Sequence, residues 1–122
     1  MINWVPTSSK TSYRIKGDVS VSIVDKGRRV TVRFSPGAMS VKLGHAERVM
    51  IGFDETCTRC YFKKGMGYKL TINKDGSGLM LLLSSKIEKL MGRNCAVLSG
   101  DYFLNYDKES EAYYFSIGAL PR

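Results

Sequence analysis

VTVRFSPGAMSVKLG (30–44) and LMLLLSSKIEKLMG (79–92) follow one order: an apolar run, a serine, a short helical stretch, then Leu-Gly or Met-Gly. The echo extends in both directions. Upstream, VSVSIVDKGRR (19–29) and YKLTINKDGSG (68–78) both read as strand, turn, strand. Downstream, Met50-Ile51-Gly52-Phe53-Asp54 is answered by Phe103-Leu104-Asn105-Tyr106-Asp107, and Tyr61-Phe62 by Tyr114-Phe115. Asp54 precedes Gly65 by the same interval as Asp107 precedes Gly118. Two copies of a unit of about fifty residues imply a structure that one copy cannot complete alone.

Each copy reads the same way locally. Val19, Val21 and Ile23 alternate with Ser20 and Ser22, the period of a half-buried strand. Asp25-Lys26-Gly27 is a turn, and Gly27 is free to take a positive φ. Val30, Val32 and Phe34 alternate in turn and complete a hairpin. Ser35-Pro36 starts a helix, with serine as N-cap and proline where its missing N–H costs nothing. Gly44 stops it. Residues 47–53 and 59–63 form a second hairpin around the turn 54–58. In the second copy Tyr68, Leu70 and Ile72 alternate, and Asn73-Lys74-Asp75-Gly76 is a turn. Residues 79–83 are expected as a more fully buried strand. Ser84 or Ser85 caps a helix stopped by Gly92, and Tyr102, Leu104 and Tyr106 begin the last hairpin. The expectation is about eight strands and two short helices. Residues 1–18 form an N-terminal arm, and residues 19–122 form a single domain of two repeats, 19–65 and 68–118.

The formal net charge is +8. Residues 1–75 carry 14 Lys/Arg against 6 Asp/Glu, whereas residues 76–122 carry 5 of each, so the whole excess lies in the first copy and the hairpin of the second. A one-sided basic excess favours a polyanionic partner, with nucleic acid ahead of a membrane surface because no basic amphipathic helix is visible. The longest apolar run, 79–83, is far short of a membrane span. The first residues lack the basic-then-apolar layout of a signal peptide, and three cysteines make no disulfide framework. A cytoplasmic protein is the expectation.

From Arg29-Val30-Thr31-Val32 through Gly44, then Val49 to Asp54 and Tyr61-Phe62-Lys63, the chain resembles the AbrB/SpoVT swapped-hairpin superfamily. The resemblance covers 19–65 and, more loosely, 68–118. Members dimerise through interleaved hairpins or, like the MraZ proteins, carry two units in one chain. It implies a mainly β (α+β), pseudo-twofold swapped-hairpin β-barrel built from two tandem strand-strand-helix-strand-strand units. It also implies that arginines of the first hairpin lie on a β-face that meets DNA.

The candidate DNA-binding residues are therefore Lys26, Arg28, Arg29 and Arg33, with Lys74 at the equivalent tip of the second copy and Arg14 and Lys16 extending the patch. Arginine reads guanine bidentately, and lysine meets phosphate as a point charge. The competing reading is solvated edge-strand charge that discourages aggregation. Cys57-Thr58-Arg59-Cys60 is a CxxC, with Cys95 and His45 as conceivable further zinc ligands. The corresponding turn in the second copy has no cysteine, and neither extra ligand has a partner at ligand spacing, so no metal or cofactor is assigned. No nucleophile elbow, phosphate loop or acidic pair supports an enzyme. Tyr102, Phe103, Tyr106, Tyr113, Tyr114 and Phe115 crowd the last two strands, where core packing outweighs base stacking because this half is not basic.

Together these features point to a small bacterial or phage-type transcriptional regulator that contacts duplex DNA through basic hairpin tips. It would act as a monomeric pseudo-dimer or as a homodimer, with no membrane partner. The alternative is a protein-binding module, antitoxin-like or an inhibitor of a host factor, that sets its basic face on an acidic partner. Single-strand binding is a third possibility.

Overall fold

The structure is a computed structural model that describes residues 17–117. The expected arm up to residue 16, with Arg14 and Lys16, and the last five residues lie outside them. The serine-valine alternation makes β1 (Val19–Val24), which pairs antiparallel with β2 (Arg29–Phe34). Gly27 has φ +87°, as expected, but Asp25 and Lys26 also adopt left-handed φ values of 53° and 54°. Ser35 caps the following helical turn by accepting the Ala38 N–H at 3.1 Å. That turn, Ala38–Lys42, is π-helical: Leu43 N–H reaches back five residues to the Ala38 carbonyl. Gly44 ends it at φ +57°.

β3 (Arg48–Phe53) and β4 (Arg59–Lys64) form the next hairpin. There follow β5 (Tyr68–Lys69), β6 (Thr71–Ile72), β7 (Gly78–Leu83) and the helix α1 (Ser84–Met91). Gly92 caps α1 in the left-handed region. Ser84, expected as a cap, is instead the first helical residue, and its hydroxyl donates to the Gly27 carbonyl at 2.6 Å. Between α1 and the last strands the chain forms a 3₁₀ turn, Cys95–Leu98. β8 (Gly100–Tyr102), β9 (Asn105–Asp107) and β10 (Ala112–Ser116) complete the described chain.

Two five-stranded antiparallel sheets result, in the orders β6-β7-β2-β1-β8 and β5-β3-β4-β10-β9. The fold is mainly β, as expected. It is not the closed barrel that was expected, because each sheet keeps two edges. The chain passes from one sheet to the other three times: through the helical turn between β2 and β3, and within an expected strand at Leu70 between β5 and β6 and at Phe103-Leu104 between β8 and β9. Each of two expected long strands is thereby cut into two short ones. Leu70 and Leu104 are buried at these crossings.

Both sheets mix strands from the two halves of the chain. Val19 of β1 pairs with Tyr102 of β8, and Val49 of β3 pairs with Tyr68 of β5. The front half's first strand thus meets the back half's third, and the reverse. The second strands, β2 and β7, pair with each other, as do the fourth, β4 and β10. Gly17 and Gly67, just before these first strands, lie so close to the carbonyls of Tyr102 and Val49 that a side chain on either would strike backbone.

The inner faces enclose a core centred on aromatic rings. Phe34 and Phe62 meet edge to face at 5.0 Å, Phe62 and Phe115 lie 5.9 Å apart, and Tyr102 stacks on Phe115 at 3.9 Å. Burying each such ring contributes about 1.5–3 kcal/mol. β7 departs from expectation. Met80 and Leu82 are buried, but Leu81 and Leu83 remain 49% and 43% exposed. The strand is half-buried because β2 fixes its register, and Leu79, Leu81 and Leu83 fall on the outer face opposite Arg33, Thr31 and Arg29.

Candidate nucleic-acid interface

The outer face of the first sheet follows from the inner one. With Val30, Val32 and Phe34 buried, Arg29, Thr31 and Arg33 must point away from the core. Ser20, Ser22 and Val24 flank them on β1, and Leu79, Leu81 and Leu83 flank them on β7. Lys26 and Arg28 are exposed at the hairpin tip. The backbone of that tip is held by α1, whose Ser84 N–H donates to the Arg28 carbonyl at 2.9 Å. Arg29 forms an exposed ion pair with Asp25 at 3.8 Å, a contact of little energetic weight.

Lys26, Arg28 and Arg29 therefore gather at one end of this hairpin, whereas Arg33 lies toward the other end, beside the turn that carries Lys74. The β2–β7 ladder runs from Arg29–Leu83 to Phe34–Gly78, so the second tip sits at its opposite end, about 17 Å away at strand rise. In that turn Asp75 accepts the Ser77 hydroxyl at 2.7 Å and the Ser77 N–H at 2.9 Å. These bonds, the hydroxyl first, hold the Asp75 carboxyl below the usual range, and the positive charge of Arg33 adds to them.

Sequence reasoning missed a basic pair. Arg48 of β3 stands across from Lys69 of the edge strand β5. Their spacing in sequence gives no sign of it, since the pairing is made by a crossing strand. Asp18 was also missed. Its carboxylate accepts Lys42 Nζ at 2.8 Å and the Leu104 N–H at 2.7 Å, and Lys42 also donates to the Leu104 carbonyl. This joint ties the front helical turn to a crossing in the back half.

The crowded aromatics divide. Phe115 is core and Tyr102 and Tyr113 pack against it, whereas Phe103 and Tyr106 are 71% and 52% exposed. The cysteines do not converge as ligands. Cys60 is buried on the inner face, where desolvation pushes its thiol up. Cys57 sits in the turn with its thiol toward the Leu90 carbonyl at 3.9 Å. Among the described residues no group of three His, Cys, Asp or Glu is arranged to hold a metal ion. His45 follows the helical turn at φ 55° and donates its N–H to the Met39 carbonyl.

No described helix is long and apolar enough to cross a membrane. Comparison with known proteins finds no matching family model, no matching curated protein and no matching solved structure.

Proposed function

We propose that this chain binds duplex DNA through the outer face of its first sheet and acts as a small transcriptional regulator of bacterial or phage type. The observation that carries this reading is the common outward direction of Arg29 and Arg33 on β2, continuous with Lys26 and Arg28 at the tip. A two-stranded ribbon fits the major groove, where arginines reach guanine edges while lysines and the serine hydroxyls of β1 meet phosphate. Lys74 is a separate phosphate contact at the other end of the ladder.

The architecture belongs to the same proposal. The two halves are repeats of one unit, arranged as a pseudo-twofold swapped hairpin like that of the AbrB/SpoVT superfamily. The exchange of first and third strands between halves supports this, as does the pairing of like strands across the centre of each sheet. Tyr61 and Tyr114, equivalent residues in the two halves, pair directly with each other.

Gel-shift titration of duplex DNA across salt tests the site. Arg28→Glu with Arg29→Glu should weaken duplex binding by about 100-fold at low salt and flatten the salt slope, with thermal unfolding unchanged. Undiminished affinity in that variant removes these residues from the site.

One observation favours a protein partner instead: Leu79, Leu81, Leu83 and Val24 lie beside the arginines on the same face. Apolar surface edged by arginine is common at protein interfaces. Negligible duplex affinity at low salt would favour this second reading.

A further inference from the structure

The outer face of the second sheet carries a groove of about 480 Å³ that the duplex-binding face does not use. Its origin lies in the pairing of β4. Tyr61 and Tyr114 pair across the centre of the sheet, with rings 5.6 Å apart. The residue across from Tyr114 on its other side is Asn105, and the Arg59 guanidinium lies 4.3 Å from the Tyr114 ring centre. Tyr114 is thus covered. Across from Tyr61 on its other side stands Gly52, around whose absent side chain there is nothing within 4 Å. Ala112, diagonal to Tyr61, is equally short. One of two matched tyrosines has a guanidinium of the chain itself over its ring, and the other borders open space.

The edges of that space are chemically distinct. Lys63 stands at one end, where its ammonium makes only a long 3.3 Å contact to the Ser110 carbonyl. Glu55 stands at the other end, beyond Met50 and Phe53. A fitting ligand has a flat aromatic ring for Tyr61, an anionic group for Lys63 and a hydrogen-bond donor edge for the Glu55 carboxylate. A nucleotide carries all three. A half-buried tyrosine on the outer face of an antiparallel sheet, beside a lysine, is also an arrangement by which sheets stack unpaired bases.

We propose that the Gly52–Tyr61 groove binds one nucleotide, its base stacked on Tyr61, its phosphate on Lys63 and its amino edge toward Glu55. Met50, flexible and 47% exposed, borders the groove across from Lys63. The proposal is independent of the duplex-binding face and stands if that reading fails.

The test is a nitrogen-15 NMR titration of the whole chain with AMP, CMP, GMP, UMP and inorganic phosphate, repeated with a ten-residue single-stranded DNA. Shifts at Gly52, Tyr61, Lys63 and Ala112 are expected with the nucleotides. If the natural ligand is an unpaired base within a strand, the oligonucleotide binds at least tenfold more tightly than the free nucleotide; if it is the free nucleotide, the oligonucleotide binds no better. The Cβ that Gly52→Leu adds meets nothing within 4 Å and the rest of its side chain occupies the groove beside Tyr61, so this variant should keep the parent melting temperature and weaken binding by about tenfold or more, as loss of one stacking interaction predicts. Tyr61→Leu should do the same and Tyr61→Phe should bind within about twofold of the parent. Glu55→Gln should weaken CMP and GMP more than UMP. The proposal is overturned by an absence of shifts at millimolar nucleotide, by unchanged binding in Gly52→Leu, or by inorganic phosphate reproducing the whole response.

Discussion

The two halves of this molecule share a strand plan but differ in how they finish it. In the front half the segment after the second strand is a π-helical turn of five residues; in the back half it is an eight-residue α-helix followed by a 3₁₀ turn. The front turn is fastened through Lys42 to Asp18 and Leu104, whereas α1 is fastened by the Glu88 carboxylate, which accepts the Cys95 N–H at 2.9 Å. The front hairpin tip carries Lys26, Arg28 and Arg29; the back one carries only Lys74. What the halves share lies in the ladders and core, where every strand but the short edge strands β6 and β9 pairs with one from the other half. What differs lies on the outside, where a change in one half leaves the other's pairing intact. Function is therefore to be sought in the differences.

The strongest way to break that division is through the core. Phe62 meets a ring from each side, Phe34 from the front half and Phe115 from the back. Phe62→Ala should cost about 3–5 kcal/mol in urea unfolding. Because neither sheet is made from one half alone, the loss should appear as one transition by far-ultraviolet circular dichroism and tyrosine fluorescence together. Two separate transitions would mean that the halves fold independently, against the mixed pairing of both sheets.

A smaller effect sharpens the contrast between the fastenings. Asp18→Ala strips the partner from a part-buried Leu104 N–H and the carboxylate from the Lys42 ammonium, which keeps the Leu104 carbonyl, and should destabilise by about 1–3 kcal/mol. Glu88→Ala frees one N–H and should cost about 1 kcal/mol. The same unfolding curves rank the two. Equal losses would show that the front joint is no stronger than the back one.

Much of this frame is legible in residue order. The alternation of Val19 to Ile23, the Ser35 cap and the glycine stops at Gly44 and Gly92 are local signals with local causes. The inner and outer faces of β7 are not legible. Five consecutive apolar residues have no period, so only the ladder with β2 tells Leu81 from Leu82. The breaks at Leu70 and Leu104 are hidden for a related reason: a strand that leaves one sheet and enters the next keeps its alternation while changing partners. The candidate faces divide likewise. Arg28, Arg29 and Arg33 are neighbours in sequence, but the groove beside Tyr61 needs Gly52 from one strand and Ala112 from a distant one. Neither small residue announces a site on its own.

The smallest effect compares the hairpin turns of the second sheet. Asp54 Oδ1 accepts the N–H groups of Thr58 at 2.8 Å and Arg59 at 3.0 Å, and the other oxygen takes the hydroxyls of Thr56 and Thr58. Its counterpart Asp107 accepts the Ser110 hydroxyl at 2.6 Å. Desolvation pushes the Asp54 carboxyl up, but the bonds from Arg59, Thr58 and Thr56 together outweigh it and hold the carboxyl at about 2, against an ordinary 3.8. Asp107 is also held low, chiefly by Ser110. A carboxyl with a depressed folded value adds stability that is fully present above its unfolded value and is lost as the pH falls toward the folded one. For Asp54 that window runs from about pH 4 down to about pH 2. Asp54→Ala should cost about 1 kcal/mol at neutral pH, from the lost turn bonds, and remove part of the acid sensitivity in that window; Asp107→Ala should cost less. Thermal unfolding at pH 7 and pH 3 measures both. Equal losses from the two variants at pH 7, or an Asp54→Ala deficit that does not shrink at pH 3, would show that the Asp54 turn owes nothing to its extra bonds.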